Sequence, residues 1–183
     1  MTTEEMLHLK GIRLAPYMQI ATALIGKTRH GGGNMFRHQL DTMAILIDYG
    51  YINSVLLKAS IIHDVIEDIP DFNHNLIFSI DFESHAVYDL VMEVTRQPGE
   101  SKPDFLTRIH QSGSLNAKIL KVADRISNMI TLGYVHNMDF VSRYINETEQ
   151  YIIPIAEMVD KSMLAELQKL VESRRIYADH VTR

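Results

Sequence analysis

The sequence predicts an all-α protein, a bundle folded around one central helix. Apolar residues recur at helical spacing along most of the chain. Gly, Pro and Asn interrupt it at intervals that suit helices. Residues 54–68 are apolar nearly all round, the pattern of a helix covered on every side. A chain of 183 residues suits one domain, 1–183, with a single core.

The first helix is expected over 13–27, with Pro16 tolerated in its opening turn. Residues 28–37, carrying Gly31-Gly32-Gly33-Asn34, read as a loop. A second helix covers about 38–49 and stops at Gly50. The third begins after Asn53-Ser54, residues suited to capping, and ends near Asp68, before Pro70. Weaker helical segments follow at 72–80 and 84–95. The run from Gln97 to Pro103 reads as a surface loop, and Pro103 opens a short helix through His110. Further helices are expected over 115–133, over 137–159 with a kink at Pro154, and over 161–177. No sheet beyond a short hairpin is expected, and no repeat or linker is visible.

Composition narrows the function classes. Hydrophobic residues at 46% and charged residues at 22% are ordinary for a globular protein. There are no cysteines, so any metal must be held by His, Asp and Glu. The apolar runs fall short of the ~18 residues of a spanning helix. The start, Met1-Thr2-Thr3-Glu4-Glu5, lacks the basic and apolar regions of a signal peptide. A cytoplasmic location with no membrane partner is the expectation. The net charge of −5, with no basic run, argues against a nucleic-acid polymer as partner. A small phosphorylated ligand held by a few local cations remains compatible.

The chemistry concentrates in Ile61-Ile62-His63-Asp64-Val65-Ile66-Glu67-Asp68. At about 100° per helical residue, His63, Asp64, Glu67 and Asp68 share an arc of roughly 140°. Three acids and an imidazole on one side of an apolar helix repel one another unless a cation lies between them. A helix end emerging into water before Pro70 would account for Glu67 and Asp68. It does not account for His63-Asp64, one turn deeper. The second signal is Asp124, Asn128 and Thr131, spaced i, i+4, i+7 in a polar stripe beside apolar positions. A solvated face would carry Lys and Glu instead, and Arg125 and Ser127 already offer one. The stripe is therefore expected to face a cavity. Adding His38, His63, Asp64 and Asp124 together gives two imidazoles and two carboxylates from three helices. That set suits a first-row divalent ion, with Mn²⁺ favoured over Zn²⁺ by its oxygen content.

His…His-Asp…Asp resembles the ligand pattern of the HD phosphohydrolase superfamily. More narrowly, the chain is similar to the hydrolase domain of the Rel/Spo alarmone enzymes and to the stand-alone small alarmone hydrolases, from about residue 20 to 156. His63-Asp64-Val65-Ile66-Glu67-Asp68 matches the His-Asp-x-x-Glu-Asp signature. Lys121-Val122-Ala123-Asp124-Arg125-Ile126-Ser127-Asn128-Met129 matches Lys-x-Ala-Asp-Arg-x-x-Asn-Met. Phe82 with Leu90-Val91-Met92-Glu93-Val94-Thr95, and Glu147-Thr148 with Pro154-Ile155-Ala156, resemble the middle and late stretches. Arg29 and Gly26 stand at the spacing of the family's base-stacking arginine and the glycine before it.

The resemblance implies an HD-domain helical bundle with a central metal-binding helix. It implies one Mn²⁺ on His38, His63, Asp64 and Asp124, and Glu67 and Asp68 handling the attacking water and its protons. Arg29 would stack on a purine, with Asn128 and Thr131 contacting base and sugar. The implied reaction removes pyrophosphate from the ribose 3′ position of guanosine tetra- or pentaphosphate, leaving GDP or GTP. Lys27, His30, Arg37 and Arg125 are the nearby cations available to hold the diphosphates.

Two departures bear on the substrate. The family's Ser-Gly-Glu-Pro-Tyr loop is replaced by Gly31-Gly32-Gly33-Asn34-Met35, so the base-side wall is rebuilt. The tyrosine of the late segment sits one place early, at Tyr151. The same chemistry on adenosine alarmones or on the 2′-phosphate of NADPH is one alternative, and a catalytically silent nucleotide-binding domain is another. No synthetase domain follows, so degradation without synthesis is expected. His8, His74, His85, His110, His136 and His180 have no partner at ligand spacing and read as surface or core residues.

Overall fold

A computed structural model describes residues 1–181. It is all-α, with no strand among the described residues and one isolated antiparallel bridge, Thr28 to Asn34. The helices are α1 (Thr3–Gly11), α2 (Ala15–Ala21), α3 (Met35–Asp48), α4 (Ser54–Ile62), α5 (Val65–Asp68) and α6 (Asn75–Phe78). They continue with α7 (Ser84–Val94), α8 (Lys102–Ser112), α9 (Leu115–Thr131), α10 (Met138–Glu147), α11 (Ile153–Val159) and α12 (Lys161–Val181).

Side-chain caps place several of the helix starts. Asn34, Asn53, Ser101, Ser114 and Asn137 each accept a hydrogen bond from a backbone N–H in the first turn of the helix that follows, meeting donors that have no intrahelical partner. α3 ends where Gly50 adopts φ +78°. There the Tyr51 N–H reaches the Leu46 carbonyl and the Gly50 N–H that of Ile47, a left-handed cap suited to glycine.

α4 is central as expected, with Leu56 through Ile62 all buried. It packs on α2, α3, α7 and α9, while α9 also meets α3, α11 and α12. The apolar core runs between these two helices, from Tyr17 and Leu24 through Ile61, Ile62, Leu120 and Ile126 to Met163 and Leu167.

Several boundaries differ from the expectation. Helix 54–68 is not continuous, because a turn at His63-Asp64 separates α4 from α5. α3 begins three residues before 38, since Asn34 caps it directly. The expected kink at Pro154 is preceded by a π-helical turn, Thr148–Ile152, which absorbs one residue before the proline that lacks an N–H. α1 was not expected, although Thr2 and Glu5 form a reciprocal capping box whose Thr-x-x-Glu spacing is a start signal. It buries no residue, so apolar periodicity could not reveal it.

Candidate active site

The turn between α4 and α5 aims two neighbouring side chains at one point. The His63 Nδ1–H donates to the Ser60 carbonyl at 2.7 Å, which swings Nε2 inward. That nitrogen lies 3.3 Å from Asp64 Oδ2 and 3.8 Å from Asp124 Oδ1. From α3, His38 Nε2 reaches Asp124 Oδ1 at 3.0 Å and Asp64 Oδ2 at 3.6 Å. Its Nδ1 is 2.9 Å from Ser127 Oγ. The structure thus brings His38, His63, Asp64 and Asp124 together from α3, the α4–α5 turn and α9.

Whether these groups fit an ion is tested by His63 Nε2, which is buried with no hydrogen-bond partner. A buried polar atom left unpaired is costly, and a cation at the centre of the four groups would satisfy it. Ligand atoms of His38, His63 and Asp124 all lie within 4.8 Å of one another. Ligands about 2.1 Å from a shared ion stand roughly 3–3.5 Å apart, close to the spacings found. The His/His/Asp cluster can therefore hold a metal ion.

The electrostatics point the same way. Burial opposes charge on His63, but the carboxylates of Asp64 and Asp124 outweigh it and raise its pKa to about 9. Burial likewise disfavours ionised Asp124, yet the Lys121 ammonium and the two imidazoles hold its carboxyl well below the usual range. The site is built to carry positive charge beside the ionised Asp124 carboxylate.

Beside this centre lies a cavity of about 300 Å³, lined by Asp64, Asp124, Glu67, Asp68, Arg96, Lys102 and Lys121 among others. Glu67 and Asp68 face it without joining the ligand cluster. Glu67 is half-exposed, 3.7 Å from the Arg96 guanidinium, and its carboxylate accepts from the Arg96 backbone N–H at 3.4 Å. Asp68 is ion-paired with Lys27.

A second cavity, about 250 Å³, adjoins the first and shares Met35, Asn128 and Tyr144 with it. Arg29, His30, Thr131, Leu132, Val135 and Phe140 complete much of its wall, with His30 and Phe140 in ring contact, centroids 5.0 Å apart. The α9 stripe thus faces cavities as expected, Asp124 in the first, Thr131 in the second and Asn128 in both. The glycine loop is fitted to α9. A Cβ on Gly31 would stand 2.6 Å from the Thr131 carbonyl oxygen, and Gly32 and Gly33 have φ of +87° and +73°.

Two expectations need correction. Arg125 and Ser127 do not form a solvated face, since both are buried. Arg125 donates to Glu147 at 2.5 Å and Thr148 at 3.0 Å and lies over the Tyr144 ring, so it braces α9 against α10 from the wall of the first cavity. Ser127 orients His38. Arg37 is exposed and lines neither cavity. The tyrosine that reaches the site is Tyr144; Tyr151 is half-buried against the core.

Sequence reasoning missed Gln39, Lys121, Tyr144, Arg96 and Lys102 as site residues. Lys121 could have been found from its i, i+3 spacing to Asp124. Arg96 and Lys102 arrive from a loop and a helix start, where spacing carries no such signal.

No protein-family model matches the chain. Among solved structures it is similar to a metazoan ortholog of SpoT, described as hydrolyzing ppGpp and playing a role in starvation responses. The match has a TM-score of 0.75 at 19% identity and covers 88% of this chain and 94% of that one. The chain therefore has the all-α HD-domain fold seen in that ppGpp hydrolase.

Proposed function

We propose that this chain is a metal-dependent hydrolase of purine alarmones that removes pyrophosphate from the ribose 3′ position of ppGpp or pppGpp, with Mn²⁺ as its ion. One observation carries the reading. His38, Asp64 and Asp124 gather around the orphaned His63 Nε2, beside a polar cavity lined by Arg96, Lys102 and Lys121 that adjoins a second, more apolar one. A single bipartite ligand, phosphorylated at one end and aromatic at the other, suits that pair. The similarity to the SpoT ortholog supports this choice of substrate.

His38, His63, Asp64 and Asp124 hold the ion. When bound, it lowers the pKa of water towards neutrality and offsets charge developing on the phosphoryl oxygens. Glu67 accepts the proton of the attacking water, and Arg96 holds its carboxylate at the cavity edge. Asp68, paired with Lys27, lines the same cavity and shares the handling of protons. Arg96, Lys102 and Lys121 supply the positive charge that diphosphates need. Arg29 stacks on the purine, while Asn128 and Thr131 contact base and sugar. With the nucleoside fixed in the second cavity, attack within ~3–3.5 Å is possible at one phosphorus alone, and this selects 3′ over 5′.

The test incubates purified protein with Mn²⁺ and a panel of ppGpp, pppGpp, the adenosine analogue and NADPH, with products resolved by anion exchange. GDP or GTP with pyrophosphate is the expected outcome. Orthophosphate release, or turnover of the adenine compounds alone, would overturn the assignment.

A further inference from the structure

Each candidate ligand has a partner outside the cluster that sets its orientation. Ser127 meets His38, the Ser60 carbonyl meets His63, and Lys121 with Asn128 meets Asp124. Asp64 is the most exposed of the four and stands at the break between α4 and α5. Apart from the neighbouring His63 imidazole, 3.3 Å from Oδ2, no side chain of its own turn meets its carboxylate. Its partner is Gln39, fully buried on α3. The Gln39 Nε2–H donates to Asp64 Oδ2 at 2.8 Å, and Gln39 Oε1 accepts from the Asp64 backbone N–H at 3.4 Å.

We infer that Gln39 is a positioning residue for the metal centre, one that acts through Asp64. The amide grips backbone and side chain of the same residue, so it fixes both the turn and the rotamer. The oxygen it holds, Oδ2, is the one that faces both imidazoles. The chemistry of the partner matters as well. Lys121 brings a charge to Asp124, whereas the partner that orients Asp64 is a neutral amide. Partners of this kind typically change metal affinity by about 10–100-fold when removed. Gln39 follows His38 directly on α3, so one stretch of helix supplies a ligand and the restraint on another.

The inference rests on the metal reading of the site, and the test separates the two. Mn²⁺ affinity is measured by paramagnetic resonance titration in the wild type, Gln39→Met, Asp64→Ala and the double variant. Methionine keeps length and removes both hydrogen bonds; circular dichroism melting checks that each protein folds, and Gln39→Asn takes the measurement if Gln39→Met does not. Gln39→Met should weaken Mn²⁺ binding by about 10–100-fold, with turnover recovering at saturating Mn²⁺. In the Asp64→Ala background the same change should have no further effect, because its route is already gone. Additive losses, or an unchanged affinity in folded Gln39→Met, would overturn this inference while leaving the metal reading intact. Failure of the wild type to bind any divalent ion would remove both.

Discussion

Arg29 Nη2 donates to Asn128 Oδ1 at 2.8 Å, and Asn128 Nδ2 in turn donates to Asp124 Oδ1 at 2.6 Å. The loop arginine therefore stands two hydrogen bonds from a candidate metal ligand. Arg29→Ala should raise KM for guanosine and adenosine substrates by similar factors, because a guanidinium plane stacks on the π-face of either ring. Steady-state kinetics on both would read this. A loss confined to one purine would show that Arg29 reads the base edge.

Asn128 joins the two cavities, so its removal should act on both. Asn128→Ala should raise KM and also weaken Mn²⁺ binding, by the roughly 10-fold lower limit seen for partners of metal ligands. Isothermal titration with Mn²⁺ alone separates the second effect from the first. Unchanged Mn²⁺ affinity would limit Asn128 to the nucleotide.

Glu67→Gln keeps the shape of the side chain and removes its proton acceptor. Turnover should fall by about 10²–10⁴ with metal content retained, measured by elemental analysis after gel filtration. Loss of the metal together with activity would make Glu67 a ligand instead.

An ion bound only by the folded chain stabilises it by mass action. At a concentration 100 times its Kd, Mn²⁺ should add about 2.7 kcal/mol, read as a rise in Tm that a chelator reverses. His63→Ala should abolish that rise. A shift that persists in His63→Ala would place the ion elsewhere.

Lys58 is a buried cation remote from the site, paired with Asp81 at 2.8 Å and Glu83 at 2.5 Å. Lys58→Met should cost about 3 kcal/mol of stability, because two carboxylates are left without their counter-charge. Denaturant unfolding measures it. Burial pushes both carboxyls up, but Lys58 outweighs it and holds them below their ordinary values of 3.8 and 4.5. Depressed folded-state values mean stability that is present above the ordinary values and lost as pH falls below them. The acid limb of the unfolding curve should therefore flatten in Lys58→Met.

The fold and the centre of the site were legible for different reasons. Helix 54–68 announced itself by apolar residues on all sides, and His63-Asp64 by being titratable within it. The break after Ile62 was hidden, because His63 and Asp64 carry no breaker signal and the turn is fixed by the Ser60 carbonyl and Gln39. Arg125 was misread as solvent-facing. Its partners, Glu147 and Thr148, lie on another helix, and no periodicity reports a contact between α9 and the end of α10. Tyr144 was missed for the same reason, since the late segment was matched by sequence order and not by its approach to Lys102 and Arg125. Local spacing recovers what one helix does, and pairings across helices escape it.

The two cavities meet at only three shared side chains, Met35, Asn128 and Tyr144. This division suggests a route to inhibitors by fragment linking. A chelating acid that occupies the metal side and a flat heterocycle seated against His30 and Phe140 could be found separately as weak binders. Joined by a short tether past Asn128, each would raise the effective concentration of the other into the millimolar range. The partition would then act as a ruler for tether length.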